Sequence, residues 1–138
     1  MIADFAIDTN IAFYALSEGP KCDLALSVLE AGPSISVQLL NEFANASRRK
    51  RQLPWEEIEE SLTIIQSLAA SVRPVDIEVH RLGRDIARRY KLSVYDALII
   101  AASLLDDCEI LYSEDMHHGL VIDGSLTITN PFLEPEPK

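Results

Sequence analysis

The chain predicts an α/β fold, a three-layer α/β/α sandwich around a mostly parallel, five-stranded central sheet. Three observations lead there. Short apolar runs alternate with longer segments of helical period along the 138 residues. Strands separated by helices require crossovers, so the strands run parallel and helices cover both faces of the sheet. Several carboxylates fall just beyond strand ends, the edge at which such sheets bind their ligands.

The elements follow in order. Phe5-Ala6-Ile7 is a short apolar run ending in Asp8-Thr9-Asn10, a strand followed by a helix start. Ile11 to Leu16 reads as that helix, broken by Glu18-Gly19-Pro20. Cys22 to Ala31 carries Leu24, Val28 and Ala31 at helical spacing, and Gly32-Pro33 stops it. Ser34-Ile35-Ser36-Val37 alternates polar and apolar residues, a second strand. Leu39, Leu40, Phe43 and Ala46 continue as a helix that ends in Arg48-Arg49-Lys50-Arg51, cations where the helix dipole favours them. Pro54 suits the first turn of the next helix, whose buried stripe is Ile58, Leu62, Ile65 and Leu68.

Val72 to Val75 forms a third strand, placed at an edge by Pro74. Asp76 starts a helix with Val79, Leu82, Ile86 and Tyr90 inward. Ser93 opens another from Tyr95 to Leu105, and its run from Ala97 to Ala102 is apolar all round, which predicts a buried helix. Glu109 to Tyr112 and Leu126 to Thr129 are strands four and five. Residues 1–132 then form one domain, and the tail Pro131 to Lys138, with three prolines, is expected to be loose.

Composition narrows the function classes. A chain of this length buries roughly 68% of its unfolded surface, enough for a core. No apolar run reaches the ~18 residues of a membrane span, and Met1 to Asp8 lacks the basic start of a signal peptide, so a cytoplasmic location is expected. Cys22 and Cys108 stand alone and read as buried thiols. The 12 Lys and Arg against 22 Asp and Glu give a net charge of -10. That balance opposes loose, charge-driven binding to nucleic acid. It suits an acidic surface, or acids concentrated to hold a divalent ion.

On the predicted scaffold, Asp8 follows strand one, Glu42 lies in the helix after strand two, Asp96 in the first turn of the buried helix, and Asp115 after strand four. All four then approach one edge of the sheet. Clustered carboxylates repel, and their burial costs several kcal/mol unless compensated. Mg2+ or Mn2+ compensates, because both prefer hard oxygen donors. Such ions polarise a phosphoryl oxygen and activate water, so metal-dependent phosphodiester hydrolysis is the reaction class that follows. Each acid also has an ordinary reading. Asp8 could cap the helix after it. Asp96 stands three residues after Ser93, at capping-box spacing. Glu42 could lie on a solvated face, and Asp115 could stabilise the turn before Gly119.

The strings Ile7-Asp8-Thr9-Asn10, Leu40-Asn41-Glu42-Phe43, Tyr95-Asp96-Ala97-Leu98-Ile99-Ile100-Ala101-Ala102 and Leu111-Tyr112-Ser113-Glu114-Asp115-Met116 resemble the PIN domain, in particular its VapC-type toxin branch. The resemblance runs from about Ile2 to Phe132. It implies a Mg2+- or Mn2+-dependent ribonuclease acting on RNA. Asp8, Glu42 and Asp96 match the acids that bind or organise the metal, and Asp115 matches the acid that commonly completes the set. Ser113 matches a small hydroxyl position beside it, and Asn10 a polar residue supporting the first acid. A small antitoxin partner and a homodimer are implied in the same way. The stretch His117-His118-Gly119 belongs only to a subset of the family.

Other features carry less. Arg81, Arg84 and Arg88 share a helix face and, with Arg48 to Arg51, could contact phosphates; a solvated face is the simpler reading. His80, His117 and His118 have no evident joint role, and Trp55 and Phe13 read as packing residues. A Gly-rich phosphate loop is absent, since the 5 glycines are scattered. Two other functions compete. A receiver-like phospho-acceptor domain needs an Asp at a middle strand end and a pocket Lys; Asp76 is the only middle candidate, and no Lys stands directly after strand four or five. A non-catalytic binding module would keep the fold without the ion.

Overall fold

The computed structural model describes residues 3–133. Its elements are β1 (Phe5–Ile7), α1 (Thr9–Ala15), α2 (Cys22–Glu30), β2 (Ser34–Ser36), α3 (Val37–Arg49), α4 (Trp55–Leu68), β3 (Ser71–Arg73), α5 (Ile77–Tyr90), α6 (Val94–Leu105), β4 (Ile110–Tyr112), β5 (Val121–Ile122) and β6 (Leu126–Thr129). The strands form one sheet in the order β3-β2-β1-β4-β6-β5. Pairing is parallel from β3 to β6, with Ala6 opposite both Ser34 and Leu111.

The sheet has six strands where five are expected from the sequence. The additional β5 pairs antiparallel with β6, Ile122 opposite Leu126. Two residues, one of them exposed, offer no alternation to read. Its signal is the turn: Asp123 and Gly124 both take positive φ, 50° and 70°. An Asp-Gly pair adopts that geometry readily, and it matches the twist of a hairpin. The tail from residue 134 onward lies outside the described residues.

Side chains alternate across the sheet, so adjacent strand residues serve different cores. Ala6, Leu111, Leu126 and Ile128 pack against α5 and α6, together with Val79, Ile86 and Ile100. Ile7 and Ile35 pack on the other side, with Ile11, Leu29, Leu39, Phe43 and Ile65 from α1 to α4. The run from Ala97 to Ser103 is buried throughout, as its apolar composition predicts. The edge position expected of β3 also holds, and a partly buried ion pair ties that edge down. Arg73 Nε lies 2.6 Å from Asp106 Oδ1 at the end of α6, and Arg73 Nη2 donates to the Leu105 carbonyl. Pro54 stands immediately ahead of α4 as its N-cap, one residue outside the predicted first turn.

Helices α5 and α6 meet at Gly83. A Cβ there would lie 2.9 Å from Leu98 Cδ2 and 3.4 Å from the Ala97 carbonyl oxygen. Gly83→Val therefore overpacks a contact with a backbone oxygen on one side, and should cost about 1–3 kcal/mol. Urea unfolding checks this: the midpoint should fall with little change in slope.

Strand order reverses at β1. The chain runs β1, β2, β3 outward, then returns to place β4 on the other side of β1. In open parallel sheets the crevice beyond the carboxyl ends at such a reversal is where ligands bind. Asp8 follows β1 and Ser113 follows β4, so both stand at that crevice.

Candidate active site

Asp8 forms the floor of the crevice. It is the N-cap of α1 and is only 4% exposed. Its Oδ1 accepts the backbone N–H of Thr9 at 2.7 Å. Its Oδ2 accepts the Ser113 hydroxyl at 2.7 Å and the Asn10 amide at 3.2 Å. The cap reading and the site reading of Asp8 are thus compatible, because one oxygen serves the helix and the other faces Ser113 and Asn10. Asn10 and Ser113, the two polar residues expected beside the acids, thus both bond the same oxygen of Asp8. Ser113 is itself fixed: its backbone N–H donates to the Thr129 carbonyl, and its hydroxyl accepts the Met116 N–H.

The other three acids arrive from separate elements. Glu42 lies half-buried in the second turn of α3, where Thr9 Oγ1 stands 3.4 Å from its Oε2. Asp96 is half-buried in the first turn of α6, whose N-cap Ser93 accepts the Asp96 N–H at 3.1 Å. Helix α6 leads into β4, which places its N-terminus at the carboxyl edge of the sheet. Asp115 is exposed and shares with Thr9, Asn10 and Glu42 the lining of a cleft of about 330 Å³.

The charges act on one another. Burial pushes the Asp8 carboxyl up to about 6; bonds from Ser113 and Thr9 oppose this, and the charges of Asp96 and Asp115 add to it. Burial, then the charges of Asp8 and Asp96, push Glu42 up to about 7 against bonds from Thr9 and Gln38. Asp96 is raised by burial and by Asp115, with the Ser93 hydroxyl pulling it down. A buried, mutually repelling set of carboxylates with raised pKa values is the electrostatic pattern of a functional site.

The donor set is made of carboxylate oxygens, without sulfur or imidazole, and suits a hard divalent cation. Among the described residues, no three His, Cys, Asp or Glu side chains stand close enough to hold one ion by direct contact. An ion that keeps part of its water shell, as Mg2+ does, would be compatible with both the electrostatic coupling and that spacing. On donor chemistry the residues fit such an ion.

Two participants escape sequence reasoning. Thr9 is buried and links Asp8 to Glu42, through its backbone N–H to one and its hydroxyl to the other. Glu114 accepts both the Tyr14 hydroxyl and the Lys21 ammonium, and its backbone N–H donates to Asn10 Oδ1. Lys21 and Tyr14 hold its carboxyl below the usual range. The loop carrying Ser113 and Asp115 is thereby tied to α1 and to the start of α2. The signal for Glu114 was its place inside the string Ser113-Glu114-Asp115.

The cationic clusters separate. Lys50 and Arg51 line the acid cleft, and Arg51 lies over the Phe13 ring, 4.8 Å from its centroid. Arg81, Arg84 and Arg88 line a different depression with Asp85. Arg88 is paired to Asp85 at 2.9 Å, which favours the solvated-face reading of α5. Of the histidines, His118 accepts the Asn130 N–H through Nδ1, and none lines the acid cleft. Asp76 caps α5 beyond the edge strand β3, away from the central crevice that a receiver-like phospho-acceptor would need.

The model of the PIN domain family matches residues 5–119. The chain belongs to the PIN domain family. This PIN domain matches no curated protein. Among solved structures it superposes on a toxin–antitoxin complex from Klebsiella pneumoniae with a TM-score of 0.68 and 21% identity, covering 94% of this chain and 98% of that one. It likewise superposes on VapBC2 from Rickettsia felis bound to a DNA fragment from their promoter, with a TM-score of 0.64 and 20% identity, covering 94% and 100%. At these identities the likeness is one of fold. Among the described residues, no helix of this PIN domain is long and apolar enough to cross a membrane.

Proposed function

We propose that this PIN domain is a Mg2+- or Mn2+-dependent endoribonuclease, the toxin of a toxin–antitoxin pair. The observation that carries the reading is that Asp8, Glu42, Asp96 and Asp115, distant in sequence, lie near enough at the carboxyl edge of the sheet to act on one another's charge. Membership of the PIN family supports nuclease chemistry, and the toxin–antitoxin neighbours support a small antitoxin partner.

In this reading Asp8 and Asp96, with Glu42 and Asp115, would hold the divalent ion, which would supply Lewis-acid polarisation of a phosphoryl oxygen and an activated water. The chain's own residues supply positioning. Ser113, Asn10 and the Thr9 N–H hold Asp8 in one orientation. Thr9 orients Glu42. Lys50 and Arg51, on the rim of the same cleft, offer cationic contacts to the RNA backbone, a local exception to the overall charge of -10.

Incubation of the purified chain with total RNA, with and without Mg2+ or Mn2+, followed by sequencing of the new ends, tests the proposal. Discrete new ends that require metal and disappear with Asp96→Asn are expected. RNA left intact at every metal concentration, by protein that is folded, would overturn it.

A further inference from the structure

The acid cleft is one of three that meet at Glu42. A second, of about 490 Å³, is lined by Gln38, Asn41, Glu42, Asn45 and Tyr95. A third, also about 490 Å³, is lined by Glu42, Asn45, Ala46, Arg49 and Lys50. The second cleft has no part in the account so far, and its composition is unusual for this acidic chain. Apart from Glu42, which it shares with the acid site, its lining is three amides and one phenol.

Gln38, Asn41 and Asn45 stand at i, i+3 and i+7 of α3, so they share one face of the helix. Among the described residues, the side chains of Asn41 and Asn45 form no hydrogen bond with protein. Each therefore keeps a free donor pair and a free acceptor. Tyr95 is 63% exposed, a large aromatic face left in solvent beside Asp96. Exposed aromatic rings and unpaired amides are the two tools with which proteins hold an unstacked nucleobase: the ring stacks on it, and the amides read its edges. Arg49 and Lys50 continue along α3 on the far side of Asn45, where a phosphate would find cations.

Resting on the nuclease reading above, we infer that this cleft is a base-binding subsite, specific for a nucleotide of single-stranded RNA adjoining the cut phosphate. The base stacks on Tyr95, Asn41 and Asn45 read its edge, and the backbone passes Glu42 toward Arg49 and Lys50. Single-stranded RNA is the substrate class because a paired base exposes neither its face nor its Watson–Crick edge.

The test uses the full chain and a single-stranded oligoribonucleotide library randomised around the cut, in Mg2+, with cut sites read by sequencing. Tyr95→Ala should raise KM roughly ten- to hundredfold, the range for loss of one stacked base, and lower kcat much less. Tyr95→Phe, which keeps the ring, should restore most of the loss. Asn41→Ala or Asn45→Ala should flatten the base preference at one position beside the cut and leave other positions as they were. Thermal melts confirm that each variant is folded. Fluorescence anisotropy with an uncleaved deoxy-substituted strand gives a second readout: Tyr95→Ala should weaken binding by the same factor. Unchanged KM and unchanged base frequencies in folded Tyr95→Ala would overturn this inference while leaving the nuclease reading intact. A folded wild-type chain that neither cuts nor binds single-stranded RNA would overturn both. An effect of Tyr95→Ala confined to capture of a small protein partner, with cleavage unaltered, would also overturn it.

Discussion

Asp8→Asn, and separately Asp96→Asn, should lower RNA cleavage by at least ~10²–10³-fold, the scale on which removal of one electrostatic partner of the developing charge is felt. Both substitutions are nearly isosteric, so the loss is expected without loss of fold. At position 8 the amide oxygen can still accept the Thr9 N–H and keep the α1 cap. The amide nitrogen then faces the Ser113 hydroxyl, which can accept as well as donate. The Asn10 amide loses its acceptor there, a cost of about 1 kcal/mol. At position 96 the backbone contact to Ser93 does not involve the side chain and is untouched. Single-turnover cleavage of a defined RNA, alongside a melting curve for each variant, checks the prediction. Full activity in either folded variant would reject the mechanism.

The second expectation concerns stability without metal. The Asp8 carboxyl stands at about 6 in the folded chain against an ordinary 3.8, because burial outweighs its hydrogen bonds. A carboxyl raised on folding stabilises the fold fully below its unfolded pKa, and that contribution is lost as pH rises through the folded value. For Asp8 the window is therefore pH ~4 to ~6. The loss approaches ~3 kcal/mol, from about two units at ~1.4 kcal/mol each. Glu42, raised to about 7, and Asp96, raised by its burial, act in the same direction. Asp85, Asp123 and Glu114 are lowered by their cationic partners and act in the opposite direction.

A comparison with Asp8→Asn cancels those opposing groups. In EDTA at pH 7.5 the variant should be the more stable protein, and the gap should close by pH 4.5. Added Mg2+ should stabilise the wild type by RT ln(1 + [L]/Kd) and the variant much less. A gap independent of pH would show that the Asp8 carboxyl is not raised on folding, and equal stabilisation of both proteins by Mg2+ would show that no ion compensates it.

Much of this architecture is legible in the residues themselves. The apolar run Phe5-Ala6-Ile7 and the all-round apolar helix from Ala97 to Ala102 each state their environment locally, and Pro74, expected within the edge strand, instead stands just past the end of β3 at Arg73, where its missing donor ends the pairing. Three of the four acids were legible as candidates for the same reason: Asp8 and Asp115 follow strands and Asp96 opens a helix, whereas Glu42, in the second turn of α3, has only its place in the string Leu40-Asn41-Glu42-Phe43. What local pattern cannot supply is strand order. That β4 returns beside β1, and so carries Ser113 to within 2.7 Å of Asp8, follows from packing of the whole sheet. The arginines of α5 illustrate the same limit. Their common face is evident from spacing, but the sheet face on which α5 packs decides that they line a separate depression with Asp85. β5 is hidden by its length, two residues, and only the Asp123-Gly124 turn betrays it. The amides of α3 share a cleft with Tyr95, fifty residues on, a juxtaposition that no local pattern carries.

The most direct measurement is anomalous diffraction at the manganese edge from crystals of this chain soaked in Mn2+. The proposed arrangement predicts a peak between the carboxylates of Asp8 and Asp96, within reach of Glu42 or Asp115 directly or through water, and absent in Asp8→Asn. Side chains of Asp8 and Asp96 turned away from each other, with no anomalous density between them at saturating Mn2+, would contradict it.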